Sequence, residues 1–184
     1  MCLPAIPRRR CSTARRIATA CATPTRSASG PITSDPGALS AYIYDDQGRR
    51  GGLRRASFVI AGDQNSDPLD GDSVPGTIQQ LLDHPRVDAS FTPRSAGAVE
   101  ASALQGGANL THRSDPAFDT ADFQDIPGPG NLRADYVLPS RRGLEIEGGF
   151  VFWPPRSDPL SRLTGTFPFP TSDHRLVALD LEVK

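Results

Sequence analysis

Apolar residues gather in a few short runs, separated by long polar stretches rich in Pro and Gly. That spacing predicts short strands and little helix. The clearest run is "ASFVIAGD", residues 56–63. It is continuously apolar and bounded by turn residues, which predicts a buried central strand. "AYIY", residues 41–44, reads as a short strand, and "DDQGRRGGLRR" after it reads as a turn and polar loop. "VPGTIQQLLDH", residues 74–84, predicts a short helix with Pro75 near its start and Pro85 at its end. Residues 86–130 read mostly as loop. "RADYVLPS" (133–140) and "LEIEGGFVFW" (144–153) predict two more strands, and Gly148–Gly149 in the second predicts a bulge or close packing. In "HRLVALDLEV" (174–183), Val177, Leu179, Leu181 and Val183 share one strand face while Asp180 and Glu182 share the other. The strand is therefore half-buried at its end, and the whole pattern is that of an α/β protein.

Composition divides the chain in two. Its 184 residues suffice for one domain with a real core, although apolar content is only 37%. With 18 Pro and 17 Gly it should be rich in loops. No apolar run approaches the roughly 20 residues of a membrane helix. Residues 1–34 carry six Arg (Arg8, Arg9, Arg10, Arg15, Arg16 and Arg26) and no acid. The remainder holds 14 Lys and Arg against 21 Asp and Glu, hence 14 − 21 = −7. Cys2, Cys11 and Cys21 all fall in the first segment, so the acidic body cannot form a disulfide. An acidic body argues against a broad electrostatic grip on nucleic acid and suits the collection of cations. Residues 1–34 show no apolar periodicity and are expected to hold no stable element. They lack the apolar core of a secretory signal, whereas an organelle transit peptide, rich in Arg and Ser and poor in acids, fits.

Three polar stretches lie at strand ends. Asp63 and Asn65, in "GDQN", directly follow the buried strand. Two apart on an extended backbone, they can point the same way, orient a water and hold a phosphate oxygen. A plain strand-to-turn exit explains the same residues. Arg133 and Asp135, in "RADY", offer either a structural ion pair or a site. Asp173 and His174, in "TSDHR", place an acid beside an imidazole whose tautomer and basicity it can set, or form an ordinary surface turn.

In this order, "GDQN", "RADYVL" and "SDHRLV" resemble the endonuclease/exonuclease/phosphatase superfamily, the deoxyribonuclease-I-like metal-dependent phosphoesterases. The likeness runs over residues 40–184, and "DTADF" and "NLRADYVLPS" point to a bacterial branch. It implies an α-β-β-α four-layer sandwich, present here only in part. It implies that Asp63 orients or deprotonates the attacking water and that Asn65 binds the scissile phosphate. Arg133 and Asp135 would support substrate binding, Asp173 would contact the metal or orient its neighbour, and His174 would stabilise charge on the phosphoryl group. The implied cofactor is Mg²⁺, with Mn²⁺ or Ca²⁺ as substitutes for the same hard oxygen ligands. The implied substrate is a phosphate ester, with nucleic acid, a nucleotide or a phospholipid headgroup all open, and a full-length parent could be secreted or periplasmic.

The family pattern also has a metal-binding Glu on an early strand and a His after a middle strand. The chain contains neither Glu nor His before Asp63. The expectation is therefore a C-terminal portion, residues 38–184, with the N-terminal half of the sandwich absent and turnover impaired. Residues 1–37 are expected to be disordered and outside the family pattern. A frame shift accounts for them: back-translating Cys11 to Ile17 with GC-rich codons and reading one base earlier yields Phe-Asp-Gly-Pro-Glu-Asp, a family-like segment. Two other readings stay open. One is a noncatalytic fragment that associates, with itself or a partner, through an incomplete sheet. The other is an organelle-imported protein.

Overall fold

The computed structural model describes residues 18–21, 41, 44–52 and 55–184. Its organising element is the "FVIAGD" run. Two small sheets result: one is ordered β1 (Ala18–Cys21), β2 (Phe58–Asp63), β3 (Asp135–Pro139), and the other pairs β4 (Leu144–Phe152) with β5 (Leu176–Val183). β1 runs parallel to β2, and β3 antiparallel to it. The central strand is thus where the sequence placed it. With α1 (Gln79–Leu82) and α2 (Ala96–Gln105), the architecture is mixed α/β.

Strand alternation sends Phe58 and Ile60 to one face of the first sheet, where they pack with Ile78, Leu81, Val87, Tyr136 and Leu138. Each fully buried side chain of this kind contributes about 1.5–3 kcal/mol relative to exposure. The Tyr136 hydroxyl is buried with them and donates to the Ser66 carbonyl at 2.8 Å. The opposite face carries Asp63 and Asp135, which the antiparallel register sets directly across from each other.

α2 joins the second sheet through Ala98, Val151 and Trp153. Its contact is close: a Cβ on Gly97 would fall 2.0 Å from the Trp153 carbonyl oxygen. In β4 the pairing register shifts between Ile146 and Gly148, the bulge expected from the glycine pair. A Cβ on Gly149 would meet the Ala178 carbonyl at 2.4 Å, so close packing is present as well.

Four expectations differ from the structure. Residues 1–34 were read as lacking any element, yet Ala18–Cys21 form β1, because the exposed edge of β2 offers backbone donors and acceptors to any extended segment. Residues 1–17 and 22–40 lie outside the described residues. Of the strand expected at 41–44, Tyr42 and Ile43 lie outside them too, and Tyr44 makes an isolated bridge to Arg50. The helix expected over 74–84 is confined to Gln79–Leu82, since a turn closed by the Thr77 N–H on the Val74 carbonyl takes its first residues. The stretch 86–130, read as loop, contains the ten-residue α2, with Ser95 Oγ capping it by accepting from the Gly97 N–H at 3.0 Å. Among the described residues no helix is long and apolar enough to cross a membrane.

Candidate active site

Three chain segments meet beside the polar end of β2. Residues 119–123 run between the lead-in to β3 and the lead-in to β5. Ala121 bridges Leu132 on one side and His174 on the other. The Arg175 N–H donates to the Thr120 carbonyl and the Asp122 N–H to the Asp173 carbonyl, both at 2.8 Å. This lacing brings His174 to the acids of the first sheet. Asp63, Asp135 and His174 each offer a ligand atom within 4.8 Å of the others.

Within the cluster, His174 Nδ1–H donates to Asp135 Oδ2 at 2.8 Å. That hydrogen bond is the main cause of a raised His174 pKa. Burial opposes it, and the negative charges of Asp135, Asp63 and Asp173 add to it. The imidazole is further fixed by the edge of Phe123, 5.3 Å between ring centroids. Asp135 Oδ2 also accepts from Thr120 Oγ1 at 3.0 Å. The same hydroxyl accepts from the N–H groups of Ala134 and Asp135, at 2.9 and 2.8 Å. Thr120 is a positioning residue that the sequence reading passed over. The "DTADF" stretch was noticed, but a hydroxyl serving the backbone leaves no pattern of its own.

The other residues singled out from the sequence lie around this cluster. Asn65 turns the chain with φ +48°, and its N–H donates to Asp63 Oδ1 at 2.6 Å. The two side chains therefore do not sit on one extended backbone as expected. The Asn65 side of the turn borders a cavity of about 260 Å³ that Phe123 also lines. Asp173 lines a larger groove on the other side, because neighbours in an extended segment alternate. Its carboxylate is lightly engaged, with Ser172 Oγ at 3.5 Å. Arg133 makes no ion pair with Asp135 among the described residues; its guanidinium lies over the Tyr136 ring at 4.4 Å, and its N–H donates to Asp67 Oδ2 at 3.0 Å. Burial lowers its pKa.

A divalent cation fits this donor set in one way. Asp135 Oδ2 and His174 Nδ1 occupy each other, so a closed cage of the three clustered residues is not what they build. Asp173, whose carboxylate meets only Ser172 Oγ among the described residues, has hard oxygens of the type that Mg²⁺ takes together with water. The second acidic group, Glu145, Glu147 and Glu182, is exposed on β4 and β5, where Glu145 pairs with Lys184.

The cluster is thus a carboxylate-bound imidazole beside a further acid, Asp63, at the end of a strand of a mixed α/β fold. The model of the Endonuclease/Exonuclease/phosphatase family matches residues 6–174, and the chain belongs to that family. The match begins well before residue 40, where the resemblance read from the motifs starts. No curated protein and no solved structure matches the chain.

Proposed function

We propose that the protein hydrolyses phosphate esters by in-line attack of an activated water, with Mg²⁺ as its cofactor. The observation that carries the reading is the gathering of Asp63, Asp135 and His174 within 4.8 Å in a chain of this family. Asp63 receives the proton of the attacking water as the new P–O bond forms. The Asn65 amide holds a non-bridging phosphate oxygen. His174, charged through its bond to Asp135, stabilises the negative charge that grows on the phosphoryl oxygens as the ester P–O bond breaks. Asp135, held in turn by Thr120, orients the ring. A cation at Asp173 would polarise the phosphate and stabilise the leaving oxygen. The two sheets are read as parts of a sandwich with helices on its outer faces.

Turnover is inferred to be slow, because among the described residues no Glu joins Asp63, Asp135 and His174 to complete a metal site. The test is hydrolysis of bis-p-nitrophenyl phosphate in Mg²⁺, with Asp63→Ala and His174→Ala as variants. Slow hydrolysis is expected that EDTA abolishes and that both variants reduce to background while keeping the wild-type circular dichroism. Equal rates in the wild type and both variants would remove the site. A kcat above about 1 s⁻¹, the lower range of ordinary enzymes, would overturn the inferred impairment.

A further inference from the structure

His174 comes to the candidate reaction centre on a tight turn, "SDHR", and the residue that closes this turn is Arg175. Arg175 is 4% exposed. Its Nη1 donates to the Ser172 carbonyl at 2.6 Å and its Nη2 to Asp122 Oδ2 at 2.9 Å. The guanidinium also lies over two rings, Trp153 at 4.4 Å and Phe169 at 5.1 Å. Asp122 closes the link, because its N–H donates to the Asp173 carbonyl at 2.8 Å. One side chain thus ties residue 172 to residue 175 across Asp173 and His174. It also ties the turn to the segment 119–123, whose Thr120 holds Asp135 and whose Phe123 meets the imidazole.

Stability does not explain this arrangement. An ion pair taken out of water returns little relative to apolar side chains of the same volume. Arg175 Nε is moreover buried without a hydrogen-bond acceptor among the described residues, which is a further cost. What a guanidinium provides instead is geometry. Its rigid planar fork meets two acceptors at fixed angles and stacks on aromatic faces, which neither an ammonium nor an alkyl chain can do. We propose that Arg175 is a positioning residue for His174: held by Asp122, Trp153 and Phe169, its guanidinium clamps the Ser172–Arg175 turn and keeps His174 Nδ1–H aimed at Asp135. It acts through the turn and touches no reacting atom. Its effect on rate rests on the phosphoesterase reading, whereas its effect on the ring rests only on the bond between His174 and Asp135.

Two variants separate positioning from packing. Asp122→Leu/Arg175→Met replaces the pair by apolar side chains, so that no buried charge is left alone. Arg175→Lys keeps the charge and loses the fork. The ring has a signature of its own. His84 Nδ1 accepts from the Arg86 N–H at 3.2 Å, and His112 Nε2–H donates to the Pro129 carbonyl at 2.8 Å, so both neutral rings carry their proton on Nε2. His174 alone of the three carries it on Nδ1. Long-range proton–nitrogen NMR spectra in EDTA, at alkaline pH where the imidazoles are neutral, should therefore show one Nδ1–H ring, absent from His174→Gln. In the double variant the urea midpoint should equal or exceed that of the wild type, while His174 becomes a mixture of tautomers. Its kcat for bis-p-nitrophenyl phosphate in Mg²⁺ should fall about 10- to 100-fold with KM little changed, the pattern of a misplaced group. Arg175→Lys should fall between the double variant and the wild type. A folded double variant that keeps the wild-type tautomer overturns the proposal, whatever its rate. Should the double variant not fold, Arg175→Lys decides by the same criterion. A lost tautomer with the wild-type rate would uphold the clamp and take His174 out of the reaction. Absence of hydrolysis in the wild type would remove the phosphoesterase reading, and the tautomer alone would then decide for Arg175.

Discussion

Asp119 and Thr120 are neighbours, both buried, at 1% and 2% exposure, yet they serve two acidic neighbourhoods of opposite character. On the Thr120 side, Asp135 is surrounded by donors: the Thr120 hydroxyl and the His174 ring both reach Oδ2. On the other side, both carboxylate oxygens of Asp119 are sealed without a hydrogen-bond donor among the described residues. Burial, reinforced by the charges of Asp67, Asp70 and Asp115, pushes its pKa up to about 8. Those neighbours fare differently. Asp67 accepts from the N–H groups of Leu69, Asp70 and Arg133. Burial works against Asp70 as well, but the Ser114 hydroxyl and the N–H groups of Arg113 and Ser114 hold it below the usual carboxylate range. Aspartates become ions or neutral acids according to the donors that the backbone brings, not according to depth alone.

Removing the donor from the first neighbourhood should have the largest effect. Thr120→Val would strand the N–H groups of Ala134 and Asp135 and take a donor from Asp135. The expected loss of stability is about 2–4 kcal/mol, at about 1–3 kcal/mol for each buried group left unpaired. Thr120→Ser keeps the hydroxyl and should recover most of it. Urea denaturation of the three proteins decides. A loss in Ser with none in Val would mean that the methyl group, and not the hydrogen bonds, matters at this position.

The second neighbourhood should show itself through pH. Between the ordinary aspartate value and about 8, the folded protein keeps a proton on Asp119 that the unfolded chain has released. Stability therefore falls as pH rises through that window, by at most about 1.4 kcal/mol per unit. Asp119→Asn carries no titrating proton. It should match the wild type near pH 4 and exceed it at pH 8, as read from urea midpoints at a series of pH values. Parallel curves for the two proteins would show that Asp119 finds a donor in solution, and the contrast with Asp135 would vanish.

How much of this was legible in the sequence depends on what kind of signal each part carries. β2 to β5 announce themselves through apolar runs and alternation, because their faces are unequally buried. α2 does not: the residues it buries are Gly97, Ala98 and Ser102, too small and too mixed to mark a face. Asp63, Asp135 and His174 could be chosen one by one as acids and an imidazole at strand ends. Their meeting depends on the β2–β3 register and on bridges at Ala121, which are pairings between distant segments. Arg133 and Asp135 looked like a pair because they are two apart, but the guanidinium found an aromatic face on the other side of the sheet. Asp119 gave no warning, since nothing in "FDTADF" says that its carboxyl is denied a partner.

The smallest expected effect separates backbone from side chain at Asn65. Its N–H supplies Asp63 with the donor that Asp119 lacks, and its φ of +48° lies in the left-handed region, where Asn is tolerated and Gly is at ease. Asn65→Gly keeps both the turn and the N–H, so stability should change by no more than about 0.5 kcal/mol. Asn65→Ala keeps the N–H but pays for the left-handed turn, with an expected loss of about 1 kcal/mol. Both remove the amide proposed to hold the phosphate, and both should therefore lower bis-p-nitrophenyl phosphate hydrolysis equally. If Gly retains the wild-type rate and Ala does not, the turn alone matters and the amide has no part in binding phosphate. If both retain it, the amide has no part in hydrolysis, and the N–H that both variants keep is all that residue 65 supplies to Asp63.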